Sequence, residues 1–161
     1  MSGMYSAEDI LSIFTGKGYT LSVAESCTGG LIGTVITSVP GASAFFLGSA
    51  VVYANVSKES ILGVRHSTLE KFGAVSRETA KEMAEGAVRV FGSDISVSAT
   101  GIAGPTGGSA EKPVGLVYVA VSNGKTTKVE EFRFTGDRDP IRYSAVAAAL
   151  GSLIKFTEEI K

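Results

Sequence analysis

With 161 residues, 44% of them hydrophobic, and a formal net charge of −1, the chain is long enough to bury a core without disulfide staples and too apolar to stay disordered. Its charge balance excludes the basic surface of a nucleic-acid binder. Cys27 is the only cysteine and His66 the only histidine, so neither an internal disulfide nor a Cys/His zinc cluster can be assembled, and any hydrolysis here is expected to proceed without zinc.

The opening Met1–Ser6 has no basic n-region or apolar h-region, and no stretch reaches the roughly 18 apolar residues of a membrane-spanning helix. The expectation is a soluble, cytoplasmic protein forming one domain over residues 1–161, with neither membrane nor nucleic acid as partner. Ser6 and Asp9 have the spacing of a helix cap, and Ile10, Leu11, Ile13 and Phe14 repeat with helical period until Gly16 and Gly18. Thr20 to Ala24 reads as a short buried strand that runs through Glu25-Ser26-Cys27-Thr28-Gly29-Gly30 into a second helical repeat at Leu31, Ile32, Val35 and Ile36. A strand–turn–helix junction therefore falls on Ser26.

After Pro40-Gly41, Ser49 to Tyr53 predicts an apolar strand, and Asn55 or Ser57 is placed to cap a short helix from Lys58 to Leu62. Ser67 and Glu70 have capping-box spacing, and Ser76 to Phe91 sets Met83, Ala84, Ala87, Val88 and Phe91 on one helical face. Ile95 to Ser98 predicts a strand that empties into the glycine-rich stretch Thr100 to Gly108. Val114 to Val121 and Lys125 to Phe134 flank Asn123-Gly124, a hairpin signal, so the second of these strands should be antiparallel and near an edge. Asp139 reads as an N-cap with Pro140 at the first position of an alanine-rich helix from Ile141 to Ile160. The alternation predicts a layered α/β/α domain with a mixed, mostly parallel sheet, whose ligands gather where strand ends meet loops.

A serine in a strand-to-helix turn has an exposed hydroxyl beside free helix N–H groups, which suits a nucleophile; equally, Ser26 or Thr28 can simply cap the helix. His66 sits in the polar stretch Arg65-His66-Ser67 and reads as a surface or structural residue. If serine attacks without histidine, the base must be a lysine or carboxylate; Lys58 is the candidate, with Tyr53 as a proton relay, against the bland reading of a solvated lysine. Gly29-Gly30 admits a ligand phosphate or close helix–strand packing, and Gly101 to Gly108 an anion nest or a flexible connector. Arg138 and Arg142 can grip a phosphate or pair with Asp137, Asp139 or glutamates.

The stretches AESCTGG (Ala24–Gly30), SATGIAGPTGG (Ser98–Gly108) followed by EKPVG, GDRD (Gly136–Asp139), GSAVVYANVSKESILGV (Gly48–Val64) and FGAVSRETAKEM (Phe72–Met83) together resemble the CinA C-terminal domain family from Tyr19 onward. The resemblance implies a metal-free and cofactor-free amidohydrolase that converts nicotinamide mononucleotide, its small-molecule pyridine nucleotide partner, to nicotinic acid mononucleotide and ammonia. It makes Ser26 the nucleophile and Lys58 the general base, with Tyr53 nearby. Thr100, Arg138 and Arg142 match positions that line the substrate pocket, with the turn from Glu25 through Cys27, Thr28, Gly29 and Gly30 beside them. The N–H of Cys27 or Gly101 is then a candidate oxyanion donor, and Glu25 a candidate partner of the pyridinium. The resemblance and the apolar composition point to a homo-oligomer. A binding domain without catalysis and an amidase for another small carboxamide are the competing readings.

Overall fold

In a computed structural model that describes residues 5–160, five strands form one sheet of order β2-β1-β3-β4-β5. The first four residues of the opening Met1–Ser6 segment lie outside the described residues. Along the chain run α1 (Ala7–Lys17), β1 (Leu21–Glu25), α2 (Leu31–Thr37), a short 3-10 turn (Ala42–Ala44), β2 (Phe46–Val51), α3 (Asn55–Leu62), α4 (His66–Phe72), α5 (Arg77–Phe91), β3 (Ile95–Gly101), β4 (Leu116–Ser122), β5 (Thr127–Arg133) and α6 (Arg138–Glu159). β1 pairs in parallel with β2 and β3, whereas β4 runs antiparallel to both β3 and β5. The sheet is thus mixed as expected, with four strands pointing one way and β5 at the edge.

Local chemistry explains most of the boundaries. Ser6 and Asp9 close a reciprocal capping box at the start of α1, and Gly18 ends that helix at φ 69°. Asn123 Oδ1 accepts the N–H groups of Lys125 and Thr126 in the β4–β5 turn. Three predicted starts are corrected. α3 begins at Asn55 behind Ala54, so neither Asn55 nor Ser57 is its cap. α4 begins at His66 behind Arg65, which puts Ser67 inside the helix. α6 begins at Arg138 behind Asp137, so Pro140 is its third residue, not its first. The last shift is cheap because the first four N–H groups of a helix have no intrahelical acceptor, and proline lacks only such a donor.

Helices cover both faces of the sheet. On one, Ile10, Phe14, Ile32, Ile36, Ala149 and Leu153 pack with Leu21, Val23, Val97 and Val119 of the strands. On the other, Met83 and Ala87 of α5 meet Leu62 and Ala24, and the hydroxyls of Ser96 and Ser98 donate to the Ala84 and Ala80 carbonyls at 2.5 and 2.6 Å. Small residues let α5 lie close to the strands there, and hydrogen bonds satisfy the buried serines. No helix among the described residues is long and apolar enough to cross a membrane.

Chain order reverses at β1: its connection leads to β2 on one side, while β3 flanks it on the other. The carboxyl ends of β1 and β3 therefore flank a topological switch point, the place where open α/β sheets form a crevice. Ser26 follows β1 directly, and its N–H donates to the Ala99 carbonyl of β3 at 3.0 Å.

Candidate active site

A cleft of about 190 Å³ opens at this switch point, and it collects Ser26, Cys27, Tyr53, Lys58, Thr100, Gly101 and Arg138 from elements far apart in sequence. Seven of the twelve expected site residues therefore share one cavity. Glu25, Thr28, Gly29, Gly30 and Arg142 do not line it; they belong to the turn behind Ser26 and its supports. Ala74, Val75 and Ala103 complete the wall. Such small apolar residues carry no chemical signature by which a sequence pattern finds a site.

Lys58 is buried by folding. Only 1% of it is exposed, and its ammonium donates to the Val52 and Tyr53 carbonyls at 2.9 and 3.2 Å while lying 3.0 Å from Ser26 Oγ. Burial, with no carboxylate in ion-pair contact among the described residues, pushes its pKa below the usual lysine value. In the neutral amine the two carbonyls still hold two N–H bonds, and the lone pair is left for the serine proton. A buried lysine that titrates low beside a hydroxyl has the arrangement of a base and nucleophile.

Ser26 is 8% exposed. It does not cap α2, and neither does Thr28: the N-cap is Gly30, with no side-chain cap bond. Gly29 and Gly30 take φ values of 58° and 101°, so the backbone conformation of the turn by itself demands glycine at both positions. At Gly101 the reason is different: a Cβ would sit 2.7 Å from the Leu116 carbonyl oxygen of β4.

Five other residues singled out in the sequence take a definite position. Tyr53 is 63% exposed, and its hydroxyl accepts from Arg138 at 3.1 Å while only its carbonyl meets Lys58, so the phenol stands at the mouth and not on the Ser26–Lys58 line. Arg138 also donates to the Gly104 carbonyl at 2.7 Å, spanning the cleft entrance. Arg142 turns away from the cleft, donating to the Cys27 and Thr28 carbonyls at 3.2 and 2.9 Å. The Thr100 hydroxyl donates to the Ala74 carbonyl at 2.8 Å. His66 lies on the surface between Glu59 and Glu70, outside the cleft lining, as expected of a surface residue.

Cys27 lies next to the candidate nucleophile but is a poor one itself. Burial pushes its thiol up to about 11 from 9.0, against the smaller opposing effects of its own backbone N–H and of Arg142. That shift leaves about 100-fold less thiolate near neutral pH than an unperturbed thiol carries. Iodoacetamide at neutral pH is therefore expected to leave Cys27 essentially unmodified, with alkylation accelerating as pH rises; adduct mass measured against time checks this, and rapid neutral-pH alkylation would contradict it.

The CinA C-terminal domain model matches residues 5–157. The chain is 50% identical over 141 residues to a CinA-like protein of Geobacter sulfurreducens, which covers 88% of this chain and 34% of that relative. In structure it is similar to the competence/damage inducible protein CihA from Agrobacterium tumefaciens, with TM-score 0.90, 46% identity and 92% of each chain covered. It is similar as well to a competence-damaged protein (CinA) superfamily protein from Escherichia coli, with TM-score 0.90 and 29% identity over 97% of this chain and 93% of that one. The chain spans about a third of the length of the curated relatives it matches.

Proposed function

The chain belongs to the CinA C-terminal domain family, and we propose that it hydrolyses the carboxamide of nicotinamide mononucleotide with Ser26 as nucleophile and Lys58 as general base. The observation that carries this reading is the buried Lys58 amine 3.0 Å from Ser26 Oγ, anchored on two carbonyls. Ser26 Oγ attacks the carboxamide carbon as its proton passes to Lys58. Collapse of the tetrahedral adduct breaks the C–N bond, and Lys58 hands the proton to the departing ammonia. Water then attacks the acyl-enzyme, its proton passing through Lys58 back to Ser26 Oγ, and the carboxylate leaves.

Charge on the tetrahedral oxygen needs donors that are not already engaged. The Ser26 amide is committed to Ala99. The amides of Cys27 and Thr28 donate to no oxygen among the described residues, which suits the Cys27 N–H as the oxyanion donor; Gly101 occupies a non-hydrogen-bonded position of the β3–β4 ladder, because Ile102 N–H is the one that donates to Leu116, and its N–H is the alternative donor.

A cleft of about 190 Å³ is small beside the roughly 300–1,000 Å³ of most ligand pockets. It suits the pyridine carboxamide, with ribose and phosphate left at the mouth by Arg138 and Tyr53. Arg138→Ala is then expected to raise KM for the mononucleotide about 10- to 100-fold, the worth of one charge-assisted hydrogen bond, with a much smaller effect on unphosphorylated nicotinamide. Equal effects on both compounds would sink the assignment of Arg138 to the phosphate. The same small volume favours a second reading, an amidase for other small carboxamides, and faster turnover of nicotinamide than of its mononucleotide would select it. Ammonia release from nicotinamide mononucleotide by purified protein in the presence of chelator is the direct test.

A further inference from the structure

Glu25 is the last residue of β1 and is completely buried, yet it touches neither the cleft nor any basic side chain in ion-pair contact among the described residues. Its carboxylate instead accepts four hydrogen bonds: from the Thr28 hydroxyl at 2.7 Å, the Ile32 and Gly33 amides at 2.8 and 3.1 Å, and the Ser49 hydroxyl at 2.8 Å. Those donors belong to the turn after Ser26, the first turn of α2 and the neighbouring strand β2. The helix has no side-chain cap of its own at Gly30, so a strand residue from below supplies the acceptors that an N-cap normally provides. Gly33 pays for this closeness within the helix, since a Cβ there would lie 3.3 Å from Ser49 Cβ and 3.5 Å from Glu25 Oε2.

Arg142 completes the arrangement from the opposite side by taking the Cys27 and Thr28 carbonyls. The turn bearing Ser26 is therefore held by the Glu25 carboxyl group on its donor side and the Arg142 guanidinium on its acceptor side. We infer that Glu25 is a positioning residue for Ser26: it fixes the strand-to-helix turn so that Ser26 Oγ meets Lys58 and the Cys27 and Thr28 amides stay unclaimed, and it does not contact the pyridinium of a substrate. This inference rests on the Ser26 nucleophile of the proposed function.

Glu25→Gln keeps the size of the side chain but replaces one acceptor oxygen by an NH2 group. A single amide oxygen can still serve Thr28 and Ile32, whereas the Gly33 N–H then faces a donor. The test is the rate at which phenylmethanesulfonyl fluoride labels Ser26, followed by intact mass and located by peptide mapping, because this reaction needs the positioned hydroxyl and no nucleotide. The variant is expected to label about 10- to 100-fold more slowly than the wild type, the cost of a small misplacement of a reacting group, while still labelling to completion and keeping its circular dichroism spectrum. A loss of stability alone would lower the fraction labelled and the Tm and leave the rate constant of the folded fraction unchanged; that result, or a wild-type rate, overturns the proposal. Should Glu25→Gln not fold, Ser49→Ala removes one of the four hydrogen bonds from outside the cleft, and slower but complete labelling supports the proposal where an unchanged rate overturns it. A wild type that is not labelled at Ser26 overturns the nucleophile itself and the positioning role with it, an outcome distinguishable because it appears without any substitution.

Discussion

Ser26→Ala is expected to abolish ammonia release from nicotinamide mononucleotide, lowering kcat by about 10⁴-fold or more, because a covalent route loses its only attacking atom. Folding should survive: among the described residues Ser26 Oγ accepts a single hydrogen bond, from Lys58, and its structural link to β3 runs through the backbone amide. KM or the Kd of the mononucleotide should change little, since the hydroxyl acts in the transition state more than in the ground state. Parallel ammonia assays and calorimetric titrations on wild type and variant decide the matter. Near-normal turnover in the variant would remove the covalent mechanism and leave direct attack by water as the route.

Lys58→Met and Lys58→Arg should be almost as damaging, each lowering kcat by roughly 10²- to 10⁴-fold. Methionine removes the proton acceptor; arginine keeps a charge that cannot be given up in this pH range. A wild-type rate in the arginine variant would show that only a positive charge is needed. The pH profile carries the same information with a definite sign. As the proposed general base Lys58 would act when neutral, and burial holds its pKa below the ordinary lysine value, so kcat/KM should rise with pH through that depressed pKa and then level off. A lysine in water would put the rise near 10.4. A rise at or above that value, or a profile that falls over the same range, would contradict Lys58 as the base.

Several features of this molecule were legible from short windows of sequence. The capping box of Ser6 and Asp9, the Asn123-Gly124 turn and the face of α5 all depend on groups only a few residues apart, and each is found where its spacing predicts. The junction at Ser26 was equally readable, because a buried strand followed by a glycine-rich turn and a helical repeat leaves few places for the chain to turn. Helix starts fared worse. Ser57, Ser67 and Asp139 all have cap chemistry, yet Ala54, Arg65 and Asp137 are the N-caps. Tertiary packing selects where a helix begins, and its weight exceeds the roughly 1 kcal/mol that a side-chain cap contributes.

The sequence by itself determined the alternation of strands and helices, the mixed sheet with its edge hairpin, and the presence of a serine at a strand end with a lysine in a following helix. Only the tertiary structure decided that these two residues, 32 positions apart, lie within hydrogen-bond distance, and that Lys58 is buried rather than solvated. It alone decided that Glu25 and Arg142 brace the turn instead of lining the cleft. The physical reason is one of range: periodicity and turn chemistry act over four or five residues, whereas the meeting of Ser26 with Lys58 is set by the register of β1 on β2 and the packing of α3 against α5, which depend on every side chain between them.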